Sequence, residues 1–217
     1  MPKTLPPPAF KLVLGFEDSR LFEWQDRLWT ISTVRELTRE GWCEQVIAEI
    51  ITLADGTVAY GDDWKKILPR DRRHEKNWMP WPGYPTKDSL RFVYRLGSVI
   101  DTGGSIQTQM SVLDIGHISG GSQVIEVGSK LYMAVVHEAR MIPGKGTRYY
   151  QHRFALLRSD GQVMGLSKPF YFTDKQIEFC AGLALFGDEL MVSYGVRDEE
   201  AWVATMDLHQ VLRFIEK

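Results

Sequence analysis

Apolar and polar residues alternate through most of the chain. The segments LFEW, RLWTISTV, CEQVIAEIITL, LRFVYRLG, IQTQMSVLDI, SQVIEV, KLYMAVVHEA, YYQHRFALL, EFCAGLALF, ELMVSYGV and AWVATMD carry this period-two pattern. They are rich in β-branched and aromatic residues, which predicts strands. Turn-forming residues separate them at 24–27, 54–57, 128–130, 159–162 and 187–189. Only 207–216 has helical spacing, and it is short. The pattern predicts an all-β chain with a short C-terminal helix.

The strands recur in similar units. Each unit opens on a polar or Gly-rich strand: GFEDSRLFEW, HEKNWMPW, SGGSQVIEV and QIEFCAGLALF. A second strand ends in polar and aromatic residues: RLWTISTVRE, LRFVYRLG, KLYMAVVHEA and ELMVSYGVRDE. A third follows: CEQVIAEIITL, IQTQMSVLDI, YYQHRFALLRS and AWVATMDL. Three units add an outer segment, in TVAYGDDWKKILP, the region before Ser119, and QVMGLSKPFYF. Units at 15–70, 74–118, 119–173 and 176–217 have the size of propeller blades, and the whole of 1–217 reads as one β-propeller domain. A β-sandwich is the alternative, with polar clusters at both ends. In a propeller the inner strands bring Glu17, Asp18, Arg20, Arg35, Glu36, His74, Glu75, Lys76, Asn77, Ser122, Gln123, His137, Glu138, Glu178, Arg197 and Asp198 toward one mouth.

Composition narrows the chemistry. The 217 residues are 44% apolar and 25% charged, with a net charge of −2, so no electrostatic pull toward nucleic acid or anionic membrane is expected. No apolar run reaches the ~20 residues of a membrane span, and the opening MPKTLPPPAFKLVLGF does not read as a signal peptide, so a cytoplasmic location is expected. Cys43 and Cys180 are too far apart for a zinc motif and read as two buried thiols. The five histidines lack metal-ligand spacing, so no metal and no cofactor are expected. There is no G-x-S-x-G elbow and no P-loop; Gly103-Gly104 and Gly120-Gly121 read as turn glycines, and the basic run 70–74 as a solvated loop. Twelve per cent of residues are aromatic, suited either to cores or to sugar platforms.

The ordered motifs resemble glycoside hydrolase family 130, the five-bladed propellers of β-mannoside phosphorylases and related hydrolases. GFEDSRLF resembles the family's G-x-E-D-P-R, with Ser19 in place of proline. HEKNWMP resembles its K-N segment, and GGSQVIEVGSKLYMAVVHEA its G-x-P…W-x-x-x-Y-H-G stretch. YYQHRFALLRSDGQVMGLSKPFYF is similar to its blade end before P-x-L, and FCAGLALFGDELMVSYGVRDEEAWVATMDLHQVL to its F-x-x-G…Y-x-G-x-x-D…A-x-x-x-L-x-x-L ending. The order holds over 15–214. The chain departs from the pattern at His137-Glu138, where the family has H-G, and at Val196-Arg197 before Asp198; a full blade precedes E-D-P-R in the family, against about sixteen residues here.

The resemblance implies a β-propeller of glycosidase type acting on a β-mannoside-like oligosaccharide or glycoside, either as an inverting glycosidase or as a phosphorylase with inorganic phosphate as co-substrate. Asp18 would be the general acid, with Glu138 and Glu178 as candidate bases. Glu17, Arg20, Asn77, Trp78, Gln123, Tyr194 and Asp198 would hold substrate, with Trp78, Tyr194 and Trp202 as sugar platforms. Arg35, Lys76, His137 and Arg153 are the candidate phosphate ligands. On the residues alone, Glu17-Asp18-Ser19-Arg20 reads first as a turn with a local ion pair; the basic residues read as well as surface charges or blade-to-blade salt bridges, and the two glutamates as carboxylates satisfying backbone N–H groups. The changed charges leave a second reading, a non-catalytic glycan-binding or scaffold propeller associated with glycan synthesis. A ring short of a blade would expose strand edges and favour a homo-oligomer.

Overall fold

The computed structural model describes residues 5–7, 14–67, 74–110, 113–144 and 146–216. Four antiparallel sheets follow one another along the chain as the blades of a propeller. The first holds β1 (Glu17–Trp24), β2 (Arg27–Val34), β3 (Glu44–Thr52), β4 (Val58–Tyr60) and β5 (Lys65–Lys66). The second holds β6 (Met79–Pro82), β7 (Leu90–Arg95), β8 (Ser98–Asp101) and β9 (Ile106–Thr108). The third holds β10 (Ser119–Gly120), β11 (Ile125–Gly128), β12 (Leu131–Met141), β13 (Arg148–Arg158) and β14 (Val163–Ser167). The fourth holds β15 (Glu178–Phe186), β16 (Glu189–Val196) and β17 (Glu200–Asp207). Helix α1 (Leu208–Phe214) and β18 (Ile215–Glu216) end the described chain.

Alternation along the strands builds the cores between blades. On β12, Met133 and Val135 face the fourth blade and pack with Leu183, Leu190 and Val192. Ala134 and Val136, one residue out of phase, face the second blade and pack with Met79, Trp81 and Val93. A strand covered on both faces reads as a continuous apolar run, as LYMAVV does. Phe22, Trp29 and Ile31 of the first blade meet Trp78, Phe92 and Ile100 of the second in a third core. The outer faces of the first and fourth blades carry the half-exposed Leu21, Met191 and Val203, which line an apolar cavity of about 230 Å³.

Two expectations from the sequence are corrected. IQTQMSVLDI is not the third strand of its blade. The chain turns earlier, at Leu96-Gly97, where Arg95 pairs with Ser98 and Gly97 adopts a φ of 81°. A residue at positive φ in a two-residue hairpin favours glycine. SVID thus becomes the third strand, β8, and IQT the short outer strand β9. Between β9 and Ser119 the described residues hold no strand. At the C-terminus, Asp207 caps α1 by accepting from the Gln210 N–H at 2.8 Å, but the helix stops at Phe214. Ile215 and Glu216 turn back and pair with β14, closing the outer edge of the third blade.

Candidate functional site

The inner strands β1, β6, β10 and β15 begin at one end of the propeller. β1 starts with a bulge: Glu17 pairs with Thr33 but Arg20 with Ile31, so one residue is extra on β1. Asp18 takes up the bulge in the left-handed region, φ 49°, and is exposed. Asn77, just before β6, has φ 63°. Such conformations are uncommon outside glycine and have to be held by their surroundings.

Arg20 does the holding. Its guanidinium is fully buried and donates to the Asp18 carbonyl at 2.8 Å, Asn77 Oδ1 at 3.2 Å and the Gly120 carbonyl at 3.5 Å, while Nε donates to the Gly121 carbonyl. It also lies 5.0 Å from the Phe179 ring of β15. One side chain thus touches all four blades. Burial lowers its pKa to about 10, so it stays a cation at neutral pH. Gly120 permits the approach: a Cβ there would lie 2.1 Å from the Asn77 carbonyl oxygen. Arg20 is therefore a clamp between blades, with four of its five N–H donors used inside the protein.

Around this clamp lies a polar mouth. Partial burial pushes the Glu17 carboxyl up; Asp18, Glu36 and Asp198 add to the effect and Arg35 opposes it. Arg35 Nε donates to the Gly41 carbonyl at 2.9 Å. Glu36 is buried and accepts from the Gly15 and Arg35 backbone N–H groups. Arg197 and Asp198 occupy the β16–β17 turn with φ 56° and 58°, and Arg197 pairs with Glu200 at 3.4 Å. Lys76 and Asn77 line a cavity of about 340 Å³ with His74, Glu75, Tyr94, Arg95 and His117. Of the basic run beside it, 70–73 lies outside the described residues.

Several residues expected at the site have other work. Trp78 is 2% exposed, packed against Phe92 and Tyr94, with its indole N–H on Glu75 at 3.2 Å. Tyr194 is buried and stacked on Phe172 at 4.2 Å. Neither ring has a face for a sugar; Trp202 is half-exposed, its indole N–H on Glu200 at 2.8 Å. The Gln123 amide bonds both backbone groups of Leu183, its Oε1 accepting from the N–H at 3.0 Å, and so ties blade three to blade four. Ser122 is buried, its hydroxyl accepting from the Val135 N–H at 2.9 Å.

The candidate bases are saturated. Glu178 is fully buried and accepts from the N–H groups of Phe172 (2.8 Å), Thr173 (2.8 Å) and Asp174 (3.0 Å). Burial works to raise its pKa, but these bonds outweigh it and the net shift is downward. Glu138, 2% exposed, accepts from Arg153 Nε at 2.8 Å and from Arg140, and His117 Nε2 stands 3.3 Å away. Here too burial is outweighed, by the two arginines, and the pKa falls. A carboxylate held ionised by so many donors is a poor base.

The phosphate ligands separate as well. Burial, with His152, Arg20 and Lys76 nearby, drives the His137 pKa down to about 3, so this ring is neutral and gives an anion no charge. Arg153 is committed to Glu138 and to the Ser167 carbonyl at 2.8 Å. Arg35 and Lys76 remain at the mouth. Cys43, expected to be buried, is half-buried: its Sγ lies 3.2 Å from His74 Nδ1, and Arg35, Lys76, Glu17 and Asp18 share its surroundings. Its place directly before β3, at the mouth end, was the available signal. Cys180 is buried as expected. Among the described residues, no group of three or more His, Cys, Asp or Glu could hold a metal ion, and no helix is long and apolar enough to cross a membrane.

No protein-family model and no curated sequence matches the chain. Solved structures do match. A β-1,2-mannobiose phosphorylase from Listeria innocua, in complex with β-1,2-mannobiose, superposes with a TM-score of 0.61 at 17% identity, over 93% of this chain and 60% of that one. The fold is that of the glycosidase-type propellers. A mannose phosphorylase from Leishmania mexicana in complex with phosphate gives 0.54 at 13% identity, over 93% and 71% of the two chains. A GDP-Man-dependent mannosyltransferase from the same organism gives 0.56 at 12%, over 88% and 68%. The chain thus spans about three fifths of the length of the Listeria phosphorylase.

Proposed function

We propose that the chain acts on carbohydrate as an inverting glycosidase or glycoside phosphorylase, on a β-mannoside-like glycan, with Asp18 as general acid. The observation that carries this reading is the bulge at the start of β1. It sets two adjacent carboxyl groups, Glu17 and Asp18, at the mouth and fixes Asp18 in the left-handed region, with Arg20 bonded to its carbonyl. A backbone held in a costly conformation beside paired carboxyls is what positioned acid chemistry requires. Mannobiose in one structural neighbour and phosphate in another support the substrate class.

In inverting cleavage the acid protonates the glycosidic oxygen while water or phosphate attacks the anomeric carbon from the opposite face. Asp18 donates the proton. Glu17, whose carboxyl is pushed toward its protonated form, stands beside it as a proton store. Asp198 and Asn77 face the bound sugar, and Arg35 and Lys76 supply positive charge at the mouth. The saturation of Glu138 and Glu178 favours a second reading, a glycan-binding propeller without turnover.

The test is incubation of the purified chain with β-1,2-mannobiose, with and without phosphate, beside Asp18→Asn and Glu17→Gln. Turnover by the unaltered chain and its loss in Asp18→Asn, with an unchanged circular dichroism spectrum, is expected. Activity retained in Asp18→Asn overturns the acid assignment. Saccharide binding without product in the unaltered chain selects the second reading.

A further inference from the structure

Three basic side chains from three places in the fold converge on one carboxylate. Arg140 comes from the end of β12, Arg153 from the middle of β13 and His117 from the segment before β10. All meet Glu138, whose two oxygens are divided among them: Oε1 takes Arg153, and Oε2 takes Arg140 and His117. The carboxylate is 2% exposed, whereas the Arg140 and His117 side chains are 50% and 44% exposed and Arg153 24%. The two guanidinium groups and the His117 ring thus stand between the acid and solvent. His117 also lines the mouth cavity with Lys76 and Asn77, so the cluster borders the candidate site.

Converging guanidinium groups are how proteins hold carboxylate and phosphate groups from solution. Taken without Glu138, Arg140, Arg153 and His117 make an oxyanion site. We infer that Glu138 is a tethered anion filling that site, and that it keeps inorganic phosphate out of it. For the reaction proposed above the consequence is that Arg153 takes no part in phosphate binding, which falls to Arg35 and Lys76 alone. Only that consequence rests on the carbohydrate reading; occupancy of the cluster does not.

The neighbouring charges fit this arrangement. Arg153 anchors its other end on the Ser167 carbonyl at 2.8 Å, so its position does not depend on Glu138 alone. Asp114 lies 3.6 Å from His117 Nδ1 and is exposed, on the solvent side of the cluster. Shortening Glu138 to Ala opens the space of a carboxymethyl group in front of two arginines.

The experiment measures binding and not turnover. The unaltered chain, Glu138→Ala and Glu138→Ser are purified and titrated with inorganic phosphate at constant ionic strength, by calorimetry and by thermal unfolding. The unaltered chain is expected to show no saturable response that Arg153→Ala removes. Each truncated variant is expected to unfold at a lower temperature and to regain stability saturably with phosphate, binding it at least about tenfold more tightly than the unaltered chain, as paired arginines would. Adding Arg153→Ala to Glu138→Ala should abolish the gain. Saturable phosphate binding by the unaltered chain that Arg153→Ala removes would overturn the inference, as would folded truncations without the gain. Failure of both truncations to fold in phosphate buffer counts against it equally, because phosphate at the cluster would restore the missing anion.

Discussion

Acid should destabilise this protein through two histidines before it neutralises the paired carboxylates Glu138 and Glu178. His152 is fully buried, with neither ring nitrogen bonded, among Phe170 (centroids 5.9 Å apart) and Phe172 (4.7 Å). Burial lowers its pKa from 6.5 to about 4, against an opposing pull from Glu178. His137, 6.4 Å away, falls to about 3, chiefly by burial and then through His152, Arg20 and Lys76. The unfolded chain protonates both near pH 6.5; the folded chain does not. Below pH 6.5 the unfolded state therefore binds more protons, and stability falls with pH. At pH 5 each ring contributes a loss of about 2 kcal/mol relative to pH 7.5, about 4 kcal/mol together, from the roughly 1.5 pH units below the unfolded pKa at 1.36 kcal/mol per unit. Against the ~5–15 kcal/mol typical of a domain that is a large fraction. The loss precedes that from Glu138 and Glu178, whose carboxyls are held below their ordinary pKa.

The assay is urea unfolding at pH 7.5, 6.5, 5.5 and 5.0, followed by tryptophan fluorescence. His152→Phe, which suits the aromatic surroundings, should cut the pH 7.5-to-5.0 loss to about half. A stability flat across that range, or a loss unchanged in His152→Phe, would refute the assignment of the acid sensitivity to these rings.

Two further outcomes test the clamp and the mouth. Gly120→Ala puts a Cβ 2.1 Å from the Asn77 carbonyl and should destabilise by more than about 2 kcal/mol, while Gly116→Ala, with no atom within 4 Å of its Cβ, should stay within about 0.5 kcal/mol, both read from urea midpoints. Iodoacetamide should label Cys43 in the native protein and Cys180 only on unfolding, as mass spectrometry of tryptic peptides would report, because Cys180 is fully buried and its thiol pKa is pushed up to about 12.

The fold was legible because each blade repeats one physical requirement. A strand between two neighbouring blades must be apolar on both faces, and that pattern stands in LYMAVV. The hairpin at Leu96-Gly97 escaped the pattern because LRFVYRLGSVID holds its apolar character through the turn, and only Gly97 marks it. The return of Ile215 to β14 left no local mark at all: it depends on an edge that exists only after the third blade has formed.

The site was legible in part for a different reason. Residue type says what a side chain can donate or accept, but not what already occupies it. Arg20, Gln123, Glu138 and Glu178 all look like ligands for a sugar or an anion, and each is satisfied inside the protein by backbone or by other side chains. A propeller closes by such polar ties, because the blades meet where strand ends leave carbonyl and N–H groups without sheet partners. The sequence places ties and ligands at the same end of the same strands, so it cannot separate them. Exposure and backbone strain do. Asp18 combines an open carboxyl with a held, left-handed backbone, and it lies at the one bulge in the first inner strand. That combination, rather than the density of polar residues around it, is why Asp18, and not the better-bonded carboxylates beside it, is proposed as the acid.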